Sequence, residues 1–304
     1  MCPGRMLAQS SSRFITAPDG LKLHVRDYAN PRSRRLPIVC LPGLSRTAED
    51  FDTLASAIAA DAAMPRRVLA LDYRGRGLSE YDRNPKNYAI PVELADVIAV
   101  LVACDAAPAI IVGTSRGGLL AMALAAQRPG LVAGAVLNDI GPVIEAAGLM
   151  RIKDYVGKLP EPRSFEEGAD ILRRIAGEQF PNLGAADWLA AARRGWRERD
   201  GRLVTTYDQA LAHSLAAISL DRPLPTMWPQ FDALAHAPVM VVRGANSDIL
   251  SAETVEAMRT RHPGMDVLVV PDQGHAPLLA EPHVIAAIAQ FAAKCDAANA
   301  ETAA

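Results

Sequence analysis

The sequence feature that most constrains the fold is a glycine-flanked serine between an apolar run and a helix-forming run. Residues 109–112 read Ala-Ile-Ile-Val, which is typical of a fully buried strand. Residues 119–127 are rich in Ala, Leu and Met, which favour a helix. Residues 113–117 read Gly-Thr-Ser-Arg-Gly, so Ser115 is centred in the pattern G-x-S-x-G. On a sharp strand-to-helix turn, this pattern forms a nucleophile elbow with the serine hydroxyl pointing outward.

The two glycines of this motif have a steric reason. Side chains two residues before and two residues after the serine would collide in so tight a turn, so glycine is expected at both places. The helix that follows aims its N-terminal N–H groups at the serine, where an oxyanion would form. The motif therefore predicts that Ser115 is a nucleophile.

A serine hydroxyl needs a base, and the base needs a third group to orient it. His275 follows a glycine in the loop after the last predicted strand, and it is the predicted base. Asp248 lies in the loop after the preceding strand, and it is the predicted acid. Asp139 follows an earlier core strand and stays open as an alternative, because a carboxylate there could also reach the histidine. Asp272 lies on the same loop as His275 and is interpreted as a turn residue.

An oxyanion hole requires two N–H donors. One is expected from the backbone of Arg116, directly after the nucleophile, and the other from Leu44, in the loop after the strand predicted at 37–41. Only backbone is needed, so the side chains at these positions say little.

Short apolar runs that alternate with helical patterns predict an α/β fold with a parallel sheet covered on both faces. A hairpin around Pro18-Asp19-Gly20 precedes it. Residues 142–229 show helical patterns but no buried strand, and we predict a helical cap there. This cap would lie above the carboxyl ends of the strands, where such folds bind ligands. The predicted domains are a core of residues 13–141 and 230–293, the cap, and flexible termini at 1–12 and 294–304.

Composition narrows the class of partner. The chain has 304 residues, half of them hydrophobic, and a net charge of −2, so neither nucleic acid nor an anionic membrane is an expected partner. The arginine-rich run at 193–199 is interpreted as a solvated helix face. Residues 72–79 lack the third glycine of a dinucleotide fingerprint and predict a tight loop held by its arginines. The four cysteines are widely spaced, and we expect no metal site. We also expect no cofactor, a cytoplasmic location and a possible homo-oligomer.

Aromatic side chains of the predicted cap could line a substrate pocket between the cap and Ser115. As a group such residues are more often cap core than pocket lining. The candidates are Trp188, Trp196, Tyr207 and Trp228.

Five segments taken in order resemble the α/β-hydrolase fold, in the group of small bacterial serine hydrolases with a helical cap. They read LPGLSRTAEDF, LDYRGRGLS, GTSRGG, RGANSDILS and VPDQGHAPLL, and the resemblance covers about residues 13–293. It implies a mostly parallel sheet of eight strands and a triad of Ser115, Asp248 and His275. Many relatives have His where this chain has Pro42. A serine at the elbow excludes the dehalogenases and epoxide hydrolases, which use Asp there.

The expected activity is hydrolysis of a carboxylic ester, or a related acyl bond, of a small molecule through an acyl-enzyme. Carbon–carbon bond hydrolases and enol-lactonases of aromatic catabolism use a similar triad and cap, and they stay open as alternatives. A non-catalytic ligand-binding homologue is the alternative of another class. Its usual signature, a lost triad member, is absent from this sequence.

Overall fold

The structure is a computed structural model that describes residues 10–30, 33–216 and 224–303. Within those residues the chain forms ten strands, most of them short and apolar. They are β1 (Ser11–Thr16), β2 (Lys22–Tyr28), β3 (Ile38–Leu41), β4 (Val68–Leu71), β5 (Ala109–Thr114), β6 (Val132–Asn138), β7 (Trp196–Arg199), β8 (Arg202–Thr205), β9 (Val239–Gly244) and β10 (Asp266–Val270).

Ten α-helices lie within the same described residues. They are α1 (Asp52–Ala59), α2 (Ile90–Ala103), α3 (Arg116–Gln127), α4 (Ala146–Tyr155), α5 (Phe165–Ala176), α6 (Ala185–Gly195), α7 (Ala212–Ala216), α8 (Trp228–Asp232), α9 (Ala252–Arg261) and α10 (Pro282–Ala303).

Eight strands form one sheet in the order β1-β2-β4-β3-β5-β6-β9-β10. The β1–β2 and β2–β4 pairs are antiparallel, and every pair from β4 to β10 is parallel. This arrangement confirms the predicted fold class. The strands β5, β6, β9 and β10 end side by side, so the loops that follow them meet at one edge of the sheet.

Helices cover both faces of the sheet, which explains why the central strands are apolar on both sides. One face packs Leu54 and Ile58 of α1 beside Ile288 and Phe291 of α10. The other face carries a larger buried cluster to which α2, α3 and α9 contribute. The sheet is therefore held rigidly, and the loops at its carboxyl edge are well positioned to support a site.

The region 142–229 lies outside the sheet and contains α4 to α7 together with a two-stranded hairpin of β7 and β8. The helical patterns expected in this region did not reveal this hairpin. The region has an apolar cluster of its own, in which Trp188 and Trp196 are buried. Ser164 caps α5 by accepting from the backbone N–H of Glu167, as its sequence pattern predicts. The exact boundaries between core and cap stay a prediction.

The C-terminal segment differs from the flexible tail expected from 294 onward. Helix α10 continues to Ala303, and residues 295 and 296 attach it to the core. Asp296 accepts hydrogen bonds from the side chains of Arg35 and Arg66, and Cys295 is buried against Gly134. At the other end, β1 begins at Ser11, inside the expected N-terminal tail, and residues 1–9 lie outside the described residues.

Within the described residues, no helix combines the length and the apolar character needed to cross a bilayer.

Candidate active site

The nucleophile elbow forms where the motif predicts it. Ser115 stands between β5 and α3 with φ 50° and ψ −111°, a conformation that L-residues rarely adopt. A Cβ on Gly113 would lie 2.4 Å from the backbone of Gly117, and a Cβ on Gly117 would lie 2.0 Å from the carbonyl oxygen of Leu41. Close backbone packing therefore requires both glycines: Gly113 for the collision within the turn that the sequence predicts, and Gly117 for the approach of Leu41 in β3.

The predicted nucleophile and base lie within hydrogen-bond distance, although 160 positions separate them in the chain. The Oγ atom of Ser115 is 2.8 Å from Nε2 of His275. The imidazole is almost fully buried, at 6% exposure of the side chain. A hydroxyl and an imidazole in this arrangement can exchange a proton.

The carboxylate that faces the imidazole belongs to Asp139. Its Oδ2 atom is 2.9 Å from Nδ1 of His275, and its side chain is fully buried. The same carboxylate accepts hydrogen bonds from the backbone N–H of Gly244 at 2.8 Å and from the hydroxyl of Ser247 at 2.6 Å. These donors compensate its burial and fix its orientation.

Asp248, the acid expected from the sequence, does not contact His275 through a hydrogen bond. Its carboxylate turns towards helix α4, where Nε and Nη2 of Arg151 donate to it at 2.6 and 2.8 Å. Although burial alone would raise it, the hydrogen bonds from Arg151 and Gln179 lower the pKa of Asp248 below its usual value. The assignment of Asp248 is therefore wrong on geometry: this residue joins the core to the cap, and Asp139 takes the place beside the imidazole.

The two backbone positions expected to form the oxyanion hole flank the serine. Arg116 is the first residue of α3, so its N–H belongs to the free N-terminal turn of that helix. Leu44 lines the same cavity as Ser115 and His275. A Cβ on neighbouring Gly43 would lie 3.9 Å from Cβ of Ser115, so this loop packs directly against the nucleophile.

A buried ion-pair chain that the sequence did not reveal connects these two positions. Arg76 donates from Nε to the carbonyl oxygen of Leu44 at 2.8 Å and from Nη1 to Glu93 at 2.7 Å. The other oxygen of Glu93 accepts from Nε of Arg116 at 2.5 Å. Burial acts to raise the pKa of Glu93, but the two guanidinium groups lower it. Arg76 belongs to the loop 72–79, which its arginines do hold in place, as expected.

A cavity of about 630 Å³ opens between the cap and the catalytic loops. Ser115 and His275 lie on its wall, and three of the four predicted aromatic candidates, Trp188, Trp196 and Tyr207, also line it. The indole N–H of Trp196 donates to the carbonyl of Pro160, and the backbone N–H of residue 157 donates to the hydroxyl of Tyr207. These aromatics therefore serve both as cap core and as cavity wall.

The fourth aromatic candidate is not part of this wall. Trp228 begins α8, packs edge-on against Phe231 and stacks with the guanidinium of Arg261 at 4.4 Å. Its expected place in the pocket was wrong, because the chain has already returned to the core at this residue.

Comparison with known proteins places this geometry in a family. A sequence model described as the alpha/beta hydrolase family matches residues 38–288. The 3-hydroxybutyrate-oligomer hydrolase of Cupriavidus necator is 33% identical over 90% of this chain and 94% of its own length. The 2-(acetamidomethylene)succinate hydrolase of Mesorhizobium japonicum is 31% identical over 68% of this chain and 71% of its own length.

The fold has solved counterparts as well. The crystal structure of an alpha/beta hydrolase from Novosphingobium aromaticivorans superposes with a TM-score of 0.87 at 40% identity, covering 95% of this chain and all of that one. The match of the family model spans most of the chain, and the sheet order and the elbow agree with it. This protein is an enzyme of the alpha/beta hydrolase family.

Proposed function

We propose that the protein is a serine hydrolase that cleaves a carboxylic ester, or a related acyl bond, of a small molecule through an acyl-enzyme. The observation that supports this most is the hydrogen-bonded series of Ser115, His275 and Asp139, which opens into a cavity of about 630 Å³. The nucleophile, its base and the group that orients the base already lie within hydrogen-bond distance of one another.

Acylation follows from this geometry. Nε2 of His275 accepts the Ser115 proton while Oγ attacks the carbonyl carbon of the ester. The negative charge on the carbonyl oxygen is stabilised by the N–H groups of Leu44 and Arg116. Asp139 accepts a hydrogen bond from the Nδ1–H group of His275 and stabilises the imidazolium without taking its proton. The imidazolium then protonates the leaving alcohol as the carbon–oxygen bond breaks.

Deacylation repeats the same steps with water. His275 removes a proton from a water molecule that attacks the acyl carbon, and the oxyanion forms in the same hole. When the tetrahedral intermediate collapses, the proton returns to Ser115 Oγ and a carboxylic acid leaves. The net reaction consumes one water and yields one acid and one alcohol.

The relative from Cupriavidus necator supports an ester bond as the target. By its name, that relative acts on an oligomer of 3-hydroxybutyrate, and hydroxy acids oligomerise through ester bonds. The cavity has the size of a small-molecule site and is lined mostly by apolar residues with a few polar groups.

The experiment is hydrolysis of p-nitrophenyl butyrate by the wild-type protein and by Ser115→Ala. The wild type should turn over, and the variant should retain no more than roughly 10⁻³ of kcat, since removing the nucleophile leaves only residual stabilisation. Wild-type turnover by the variant would reject the nucleophile assignment.

Carbon–carbon bond hydrolysis and enol-lactone hydrolysis are the alternative reactions, and a wider panel of substrates tests them. The ratio of kcat/KM for simple esters, lactones and vinylogous diketones reports which transition state the cavity favours. An ester hydrolase should prefer the simple esters. A higher value for the diketones would replace the proposed reaction while keeping the same triad.

A further inference from the structure

Two arginines of the cavity wall share a single carboxylate. Nε and Nη2 of Arg46 both lie 2.6 Å from the carboxylate of Asp50. Nε of Arg194, on cap helix α6, is 3.2 Å from Oδ1 of the same Asp50. We call these two side chains the Arg46–Arg194 pair. The pair and its one carboxylate together have a net charge of +1.

The other charged groups of this wall have hydrogen-bond partners of their own. Arg151 forms its bidentate pair with Asp248. Glu49 and Asp52 both bind Arg26, which lies outside the cavity. Each of these carboxylates forms its hydrogen bonds with a residue outside the Arg46–Arg194 pair, although Glu49 also attracts Arg194 electrostatically.

The remaining carboxylate of the wall is also engaged. Asp187 accepts from the backbone N–H of Gly184 at the start of α6. In the part of the chain that the structure describes, the Arg46–Arg194 pair is where two guanidinium groups of this wall share one carboxylate.

Donors of the pair remain available to a ligand. Nη1 of Arg46 and both Nη groups of Arg194 have no acceptor among the described residues, and buried Nε of Arg194 makes no hydrogen bond there. Burial lowers the pKa of Arg194 in spite of its attraction to Asp50, so the surroundings of this guanidinium do not fully compensate its charge. An anion placed here would supply the missing acceptors.

The Arg46–Arg194 pair is close to the reaction centre. A Cβ placed on Gly43 would lie 3.3 Å from Cγ of Arg46 and 3.9 Å from Cβ of Ser115. The distance between Cγ of Arg46 and Cβ of Ser115 therefore cannot exceed the sum of these two distances. Arg46, Arg194 and Ser115 line the same cavity, so a substrate held there can contact all three.

We infer that the Arg46–Arg194 pair binds a free carboxylate of the substrate, so that the ester cleaved is an anionic one. Its acyl or alcohol part ends in a carboxylate a few carbons from the scissile carbonyl. Planar guanidinium groups bind carboxylates in a bidentate manner, and such charge-assisted bonds select strongly for the anion. This inference rests on the proposed esterase activity and adds the substrate class.

The test compares two substrates that differ only in charge. These are mono-p-nitrophenyl glutarate, with a free carboxylate, and its methyl ester, which is neutral and of similar length. The wild type should show a kcat/KM at least about tenfold higher for the anion, as expected for a charged hydrogen bond in a cavity. Arg194→Gln should reduce this ratio to near one.

Arg193→Gln is the matched control. It removes the same charge from the adjacent position of α6, but Arg193 stacks on Phe165 at 4.8 Å and is not part of the cavity wall. The control should keep the wild-type ratio.

The outcomes separate this inference from the proposed function. Equal kcat/KM for the two esters in the wild type, or an equal loss on both in Arg194→Gln, would overturn the carboxylate subsite and leave the esterase intact. Failure to hydrolyse either ester would instead reject the esterase itself. A higher rate on the anion that Arg193→Gln also abolishes would indicate general charge attraction and overturn the subsite.

Discussion

At the scale of single residues, catalysis at this site is expected to depend on which carboxylate faces the imidazole of His275. Asp139→Asn removes the acceptor at Nδ1 of His275 and presents an amide that favours the wrong tautomer. We expect kcat for p-nitrophenyl butyrate to fall by roughly 10³-fold or more, with a much smaller change in KM. Steady-state kinetics near pH 8 measure this effect.

Asp248→Asn is the matched control, because it removes a carboxylate that follows the next strand of the sheet. It weakens the pair with Arg151 and leaves the hydrogen bond between Asp139 and His275 in place. The expected loss in kcat is within about tenfold. A larger loss in Asp248→Asn than in Asp139→Asn would reverse the assignment of the acid.

Glu93 is expected to position the oxyanion hole without touching the substrate. Glu93→Gln removes the charge that links Arg76 to Arg116, so the two backbone donors are held less firmly. We expect kcat to fall by about tenfold or more while KM changes little, because the donors act on the transition state.

Arg116→Gln tests the same chain of ion pairs without leaving a buried charge unpaired. It keeps the backbone N–H and loses the ion pair with Glu93 and the hydrogen bond from Nη2 to the carbonyl oxygen of Tyr88. Its kcat should fall in the same direction as that of Glu93→Gln. A melting temperature lowered in both variants with kcat unchanged would show a structural role alone.

The sequence was sufficient to propose Ser115 and His275 but not to choose between two acids. Asp139 follows β6 and Asp248 lies beyond β9, and these neighbouring strands end at the same edge of the sheet. Both carboxylates are therefore near the imidazole, and the choice depends on Arg151, a cap residue whose position no local pattern reveals. The deciding contact is tertiary.

At the scale of secondary structure, the hairpin of β7 and β8 shows what strand patterns miss. Each strand has only four residues. Three of the four are charged in β7, and β8 has two adjacent apolar residues, so neither shows an apolar alternation. The turn does contain a signal: Asp200 and Gly201 both have positive φ, at 51° and 73°, which is the Asp-Gly pattern of a tight hairpin turn. That dipeptide could have identified the hairpin.

Helix α10 is expected to depend on its ion pairs for attachment. Asp296→Asn leaves Arg66, whose side chain is 3% exposed, without a charged partner. We expect the free energy of unfolding to fall by about 2 kcal/mol at pH 7, measured by urea titration with circular dichroism. Asp200→Asn, at a side chain that is 95% exposed, is the control and should change little.

The pH dependence of this effect has a definite sign. Hydrogen bonds from Arg66 and Arg35 outweigh burial and lower the pKa of Asp296 below its ordinary value of 3.8. Its contribution to stability is therefore complete above about pH 5 and is lost as the pH falls through the lowered pKa. The difference between wild type and Asp296→Asn should shrink towards pH 3. A difference that stays constant over that range would exclude the ion pair as its source.

At the scale of the whole molecule, the α/β core could be predicted because its strands are short, apolar and separated by helical patterns. The parallel order then places the loops after β5, β6, β9 and β10 at one edge. The C-terminal end of α10 could not be predicted in this way, because residues 295–303 are polar and alanine-rich. Asp296 and Cys295, at the start of this segment, contact Arg66 and Gly134, which are distant in the chain.

The cavity forms only where the cap and the core come together. Its wall combines core loops around Ser115 and His275 with residues of α4 to α6 and the start of β7. Substrate selection is thus expected to reside in the cap, and the chemistry in the core. Exchanging cap residues should alter the ranking of substrates more than the maximal rate.

The most direct measurement of the central claim is site mapping after reaction with a fluorophosphonate probe. Intact mass spectrometry should show one covalent adduct on the wild type, and peptide mapping should place it on Ser115. Asp139→Asn should label more slowly, and Ser115→Ala should not label at all. An adduct on another residue, or unchanged labelling of Ser115→Ala, would contradict the account.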